Sequence, residues 1–221
     1  MIQDSAVLVF AKAPYPGQVK TRLIPAIGES AATELYVRLL QREVHWIVND
    51  TSYALQLWVT PDCDHPVLQQ LARRHQLSLF LQQGNDLGER MGFAARQALS
   101  RYSQVVLLGT DCPALTANHL RQAFNGLSDG ADAVLGPAED GGYVLLGLKA
   151  YHERVFRHHN WGESDVAAST RQAFRDMGWN WRELPVLWDL DRADDLWRLK
   201  QLDITPSLDF GSFPDRMGGK E

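Results

Sequence analysis

The residues able to do chemistry in this chain fall into four charged clusters, each beside an apolar run. The first is the loop Ala11-Lys12-Ala13-Pro14-Tyr15-Pro16-Gly17-Gln18-Val19-Lys20-Thr21-Arg22-Leu23. Pro14, Pro16 and Gly17 keep it out of a helix and leave backbone N–H groups free beside three cations. Ammonium and guanidinium donors next to free amides suit a phosphate chain, so Lys12, Gly17, Lys20, Thr21 and Arg22 are read as nucleotide-binding. Lys20 is also read as stabilising the leaving charge. The loop is not a Walker A motif, because Gly17-Gln18-Val19-Lys20-Thr21 has no second glycine directly before the lysine.

The second cluster is Gly109-Thr110-Asp111-Cys112-Pro113, which follows the unbroken apolar run Val105-Val106-Leu107-Leu108. Such a run reads as a strand buried on both faces, and open α/β sheets bind ligands at the carboxyl ends of such strands. There Asp111 would hold a divalent metal, Mg or Mn, that neutralises a diphosphate. The plainer reading of the same residue is a helix cap, with Pro113 fixing the turn. The stretch by itself leaves these two even, and the remaining clusters favour the metal.

In the third, Gln83-Gly84-Asn85-Asp86-Leu87-Gly88-Glu89-Arg90-Met91, Asp86 reads first as an N-cap. Gly84 and Gly88 allow a base or ribose to approach the backbone closely. Arg90, a cation in a first helical turn where acids are favoured, calls for an anionic partner. The fourth cluster is acidic and comes in two pieces. Glu139-Asp140-Gly141-Gly142-Tyr143 is a hairpin turn or the face of a sugar or acceptor site, and the second is preferred, with Asp140 orienting or deprotonating a hydroxyl. In Asp189-Leu190-Asp191, Asp191 is read as the second metal ligand opposite Asp111, while Asp194 and Asp195 suit the positive end of the next helix.

The elements that must position these clusters alternate regularly. Strands are expected at Ala6 to Phe10, Leu55 to Thr60, Leu77 to Gln82, Val105 to Leu108, Asp132 to Pro137, Val144 to Leu148 and Glu183 to Trp188. Helices are expected from Gly28 to about Val48, Pro66 to Arg74, about Asp86 to Ser100, Thr116 to Leu127, Asp165 to Met177 and Ala193 to Leu202. Alternation of this kind predicts an α/β fold: a Rossmann-like, mostly parallel twisted sheet with helices on both faces, in three α/β/α layers. Residues 1–204 are expected to form one domain, with 205–221 a flexible tail.

The bulk numbers narrow the function classes. At 221 residues, 45% of them hydrophobic, the chain can bury one sizeable core. A net charge of −5 offers no global field to nucleic acid or an anionic membrane, so an anion must be held by a local cluster. Cys63 and Cys112 cannot build a metal cage and are read as reduced thiols of a cytoplasmic protein. The first apolar run is too short for a signal peptide or a membrane span.

Four ordered segments together resemble one family. F-A-K-A-P-Y-P-G-Q-V-K-T-R-L, the segment Gln83 to Met91, G-T-D-C-P and G-P-A-E-D-G-G-Y are similar to the bacterial DUF2064 proteins over about Ala6 to Leu202. These are GT-A-like enzymes of the nucleotide-diphospho-sugar transferase type, some assigned as glycosyltransferases of arsenosugar biosynthesis. Their superfamily includes the molybdenum-cofactor guanylyltransferases, phospholactate guanylyltransferase and the sugar-nucleotide pyrophosphorylases. The resemblance implies a nucleotide over the loop of the first strand and a divalent metal on Asp111. It also implies that Asp191 matches the aspartate of the V-D-T element. The chain departs from both functional branches. It has one carboxylate where glycosyltransferases of this fold carry Asp-x-Asp, and A-K-A-P-Y-P-G-Q-V-K-T-R where the guanylyltransferases carry a glycine-rich loop.

The function expected from these residues is metal-dependent transfer from a nucleotide-activated donor to a small-molecule acceptor. Glycosyl transfer from a nucleotide sugar is preferred. The alternative is nucleotidyl transfer from an NTP to a phosphorylated acceptor with release of pyrophosphate. A nucleotide-binding scaffold without turnover is disfavoured by three carboxylates, Asp111, Asp140 and Asp191, at strand ends.

Overall fold

The apolar runs become strands wherever β-branched and aromatic residues sit between turn formers. In the computed structural model, which describes residues 3–50, 52–157 and 165–202, seven of them form one sheet. They are β1 (Ser5–Lys12), β2 (Ala54–Thr60), β3 (Ser78–Leu81), β4 (Gln104–Gly109), β5 (Ala133–Pro137), β6 (Tyr143–Leu148) and β7 (Trp181–Glu183). The order is β3-β2-β1-β4-β6-β5-β7. Every pairing is parallel except those of β6, which runs antiparallel to both β4 and β5. The fold is therefore the expected mostly parallel α/β sheet, and the Asp-Gly-Gly turn is a hairpin between β5 and β6.

The helices are α1 (Ile24–Ile27), α2 (Glu29–Val48), α3 (Pro66–His75), α4 (Leu87–Leu99), α5 (Ala117–Ser128), α6 (Val166–Asp176) and α7 (Leu196–Gln201). They bury apolar stripes against two sheet faces. One face carries Val7, Val9, Val106 and Leu108 against Leu40, Val44 and Ile47 of α2 and Leu120 and Leu127 of α5. The other carries Leu8, Val105, Leu107 and Leu146 against Met91, Ala94 and Ala98 of α4 and Phe174 of α6. Because strand side chains alternate faces, a strand buried on both sides must be apolar at every position, which is why β1 and β4 read as unbroken runs. No helix among the described residues is long and apolar enough to cross a membrane.

Two local expectations change. The seventh strand lies at Trp181–Glu183 rather than Glu183 to Trp188, with one isolated bridge farther on between Leu187 and Ala138. Pro185 has no N–H to continue the ladder, so the chain leaves the sheet and returns for a single pair. The last helix opens with a 3-10 turn at Ala193–Asp195 and is α-helical only over α7. The tail expected at 205–221 lies outside the described residues.

Strands β1 and β4 are parallel neighbours, Phe10 opposite Gly109, and the chain leaves them in opposite directions across the sheet. A crevice at the carboxyl ends of such a pair is where doubly wound sheets take ligands. Its floor depends on the core beneath. Leu108→Ala, which empties a side chain only 2% exposed, is expected to cost about 3 kcal/mol in urea denaturation. A loss below about 1 kcal/mol would mean that β4 is not the packed centre of the sheet.

Candidate active site

The basic loop and the Asp111 loop meet over this crevice because one lysine is forced into it. Lys20 adopts left-handed backbone angles, φ 48 and ψ 38, which turns its side chain inward, and that side chain is only 4% exposed. Its Nζ lies 2.5 Å from Asp111 Oδ1 and donates to the Leu190 carbonyl at 2.7 Å. A backbone bond from Leu190 N–H to the Asp111 carbonyl, 2.8 Å, closes the same junction. Three segments far apart in sequence are thereby tied at one point.

Tyr36 of α2 braces the crevice from behind. Its buried hydroxyl accepts from the Lys12 backbone N–H at 2.7 Å and lies 3.4 Å from Thr110 Oγ1, linking the ends of β1 and β4. Gln82 does the same on the far side, donating to the carbonyls of Ala11 and Trp58 at 3.1 and 3.0 Å. Behind Thr110 and Cys112, Glu43 of α2 is buried, and burial pushes its carboxyl well above the usual range. Burial likewise raises the Cys112 thiol to about 12, so this sulfur is inert at neutral pH.

Two cavities open at the crevice. The larger, about 570 Å³, is a cationic groove lined by Lys12, Lys20, Thr21, Arg22 and Arg90, with Asp111 and Asp191 at one side. The smaller, about 210 Å³, is mainly apolar and carries Asp140 and Asp189. Phe10, Leu87 and Gly109 belong to both walls, so the two cavities adjoin.

The expected site residues sort as follows. Lys12, Lys20, Thr21, Arg22, Arg90, Asp111 and Asp191 share the groove, with Arg22 ion-paired to Asp191. Asp140, Gly142 and Tyr143 line the smaller cavity. Gly141 holds the turn there with a φ of +90, and its carbonyl accepts from Ala167 N–H at the start of α6. Gly17, Gly84, Asp86 and Gly88 are not in the groove wall. Gly17 makes the turn of the basic loop at φ +72. Asp86 caps α4, its Oδ1 accepting from Glu89 N–H at 2.8 Å, and Gly88 is buried in the first turn. Gly84, φ +137, has no room for a side chain, since a Cβ would stand 2.6 Å from that of Glu89. Its carbonyl accepts from Arg90 Nε at 3.0 Å, which aims the guanidinium along the groove. These four residues shape the loops rather than face the cavity.

Asp189 is the residue that the sequence reading passed over in favour of Asp191. Burial raises its carboxyl to about 7, and the charges of Asp111, Asp140 and Asp191 add to this, with Lys20 opposing. The only signal in the sequence is its place in Asp-Leu-Asp, where the buried Trp188 and Leu190 on either side hold it in the wall. Four carboxylates around Lys20, one of them paired with Arg22, leave excess negative charge, the donor chemistry of a hard divalent cation. Among the described residues no three acidic, histidine or cysteine side chains form a ready cage.

The family model described as an uncharacterized protein conserved in bacteria, DUF2064, matches residues 44–163. The chain belongs to the DUF2064 family. No curated protein matches it. Among solved structures it is similar to a protein of Desulfovibrio desulfuricans G20 provisionally named a nucleotide-diphospho-sugar transferase. The two are 32% identical, with 95% of this chain and 93% of that one covered and a TM-score of 0.84. A cytidylyltransferase of Leptospira borgpetersenii shares the fold at 16% identity, covering 90% of this chain and 86% of that one, TM-score 0.58. So does 4-diphosphocytidyl-2C-methyl-D-erythritol synthase of Anaerococcus prevotii at 9% identity, covering 90% and 96%, TM-score 0.57. This DUF2064 member therefore carries its charged clusters on a sheet of the same fold as these proteins.

The Asp189 environment has a measurable consequence. A carboxyl raised in the folded state holds its proton longer than in the unfolded chain. The native state is therefore favoured below the unfolded value near 4 and loses that advantage as pH rises toward 7. Asp189→Asn removes the loss. In EDTA, its stability relative to wild type should rise by about 2 kcal/mol between pH 5 and pH 8 in urea denaturation. A difference independent of pH would show that Asp189 is not held in the surroundings described.

Proposed function

We propose that this DUF2064 protein is a metal-dependent transferase that uses a nucleotide-diphospho-sugar and passes the glycosyl group to a hydroxyl acceptor. The observation that carries the reading is the junction of a cationic groove with a carboxylate cluster at Lys20 and Asp111. The groove suits the diphosphate, and the cluster suits the cation and the acceptor. The name of the Desulfovibrio relative, at 32% identity over nearly the whole chain, agrees with it.

Asp111, with Asp189 or Asp191, would hold Mg or Mn, which supplies charge neutralisation to the diphosphate. The chain's own residues do the rest. Lys12, Arg22 and Arg90 bind and orient the phosphate oxygens, and Lys20, already fixed in the crevice, faces the charge that develops on the leaving group. Asp140 accepts the acceptor's hydroxyl proton as its oxygen bonds to the anomeric carbon. The bond from that carbon to the diphosphate breaks, and its electron pair leaves with the nucleoside diphosphate.

A second reading, nucleotidyl transfer, is favoured by the number of cations in the groove, since Lys12, Lys20, Arg22 and Arg90 together suit a triphosphate. There the acceptor oxygen attacks the α-phosphorus of an NTP and pyrophosphate departs.

A thermal-shift panel separates the two, with UDP-, GDP-, ADP- and CMP-sugars beside the matching NTPs, with and without Mg or Mn. A ligand at about 100 times its dissociation constant adds roughly 2.7 kcal/mol, a clear shift. The expected result is stabilisation by a nucleotide sugar that requires metal and is lost in Asp111→Asn. Best stabilisation by an NTP would select nucleotidyl transfer, and no metal-dependent shift with any nucleotide would refute both. Lys20→Ala and Arg22→Ala are expected to weaken nucleoside diphosphates about tenfold or more while leaving nucleosides nearly unchanged, as read by calorimetry. Asp140→Asn is expected to lower kcat about a hundredfold with little change in donor affinity. Equal losses in both would make Asp140 a binding residue.

A further inference from the structure

The smaller cavity has a chemistry of its own. Phe10, Met91, Leu107, Val144 and Val166 make its body, with Leu87, 45% exposed, at the rim shared with the groove. Among the described residues no lysine, arginine or histidine lines it. The Gly142 backbone at its mouth is already engaged within the chain. Its N–H donates to Asp140 Oδ1 at 2.8 Å, and its carbonyl accepts from Ala138 N–H at 3.0 Å. Tyr143 also lines the cavity, and the other polar side chains there, among the described residues, are the two carboxylates Asp140 and Asp189.

We infer that this cavity takes the acceptor, and that the acceptor is an alcohol with a small apolar body, a single ring or a short branched chain. The inference rests on the transferase reading of the site. Asp140 accepts the hydrogen bond of one hydroxyl, and the rest of the molecule lies against apolar side chains. A polyhydroxylated body would bury hydroxyls without partners, at about 1–3 kcal/mol each. A phosphorylated body would meet carboxylates and, among the described residues, no cation, so a phosphate belongs in the neighbouring groove. An apolar body instead gains roughly 25 cal/mol for each Å² removed from water. The volume of about 210 Å³ lies below the usual range for drug-sized ligands, which limits that body to a small one.

The test uses the full-length isotope-labelled protein and observes backbone amides by NMR. The probes are benzyl alcohol and cyclohexylmethanol, set against glycerol and glycerol 3-phosphate, each with and without Mg and a mixture of UDP, GDP, ADP and CDP. The two apolar alcohols should shift the amides of Gly142, Val144 and Val166, and glycerol and glycerol 3-phosphate should leave those three unmoved. Val144→Thr and Val166→Thr, near-isosteric changes that put a hydroxyl into the wall, should weaken the alcohols about fivefold or more. The nucleotide-induced shifts at Lys12 and Arg22 should be retained. Should either variant fail to fold, the wild-type shift map decides by itself.

Glycerol or glycerol 3-phosphate binding in place of the apolar alcohols would overturn the inference, as would alcohol binding that ignores both variants. If nucleotides still bind in those cases, only the acceptor class is wrong and the transferase reading stands. If no nucleotide shifts the groove, the transferase reading falls, and the assignment of the cavity to an acceptor falls with it.

Discussion

The rest of the site depends on keeping one ammonium group out of water. A lysine whose side chain is 4% exposed must find partners for its charge or become neutral, and Lys20 finds a carboxylate at the middle of the chain and a carbonyl near residue 190. Removing either partner would leave a buried charge uncompensated, so the basic loop, the Asp111 loop and the Asp189–Asp191 segment are held in one arrangement. The left-handed backbone at Lys20 is part of this constraint. It costs on the order of 1 kcal/mol for a residue that is not glycine, and it turns the side chain into the crevice rather than toward solvent.

Around that point the charges are segregated. The cations line one cavity together with Asp111 and Asp191, and among the described residues the charged groups of the other are the carboxylates Asp140 and Asp189. On the proposed reading this division would set a polyanion and a hydroxyl-bearing partner side by side, and Phe10 and Leu87 line both cavities. The Arg22–Asp191 pair is exposed on both sides, so it is screened and contributes little to stability. Either member can exchange its partner for a phosphate or a cation at small cost. The Lys20–Asp111 pair, with its lysine buried, has less freedom of this kind.

The scaffold beneath is rigid where the site needs it to be. Tyr36 and Gln82 engage the backbone of β1 and β2 and the Thr110 hydroxyl just beyond β4, so the two loops leave strands that are already tied together. A site mounted on strand ends in this way keeps its geometry better than one carried on free loops.

Much of this was legible in the residues themselves. Unbroken apolar runs such as Ala6 to Phe10 and Val105 to Leu108, bounded by turn formers, read as strands buried on both faces, and regular alternation with amphipathic helices points to the doubly wound sheet. Asp86 as a helix cap was equally readable, because capping depends on residues three positions apart. The seventh strand was misplaced, since Pro185 acts on a ladder whose partner strand lies far away in sequence. The site was legible only as separate clusters. Asp189 and Asp191 are two residues apart and identical in type, and sequence cannot say which is buried. That was decided by Trp188 and Leu190 packing inward and by the Leu190 backbone bonding to Asp111. Local chemistry settled which segments carry charge. Long-range packing settled which charges meet, because proximity between residues 20, 111 and 189 is a property of the folded sheet alone.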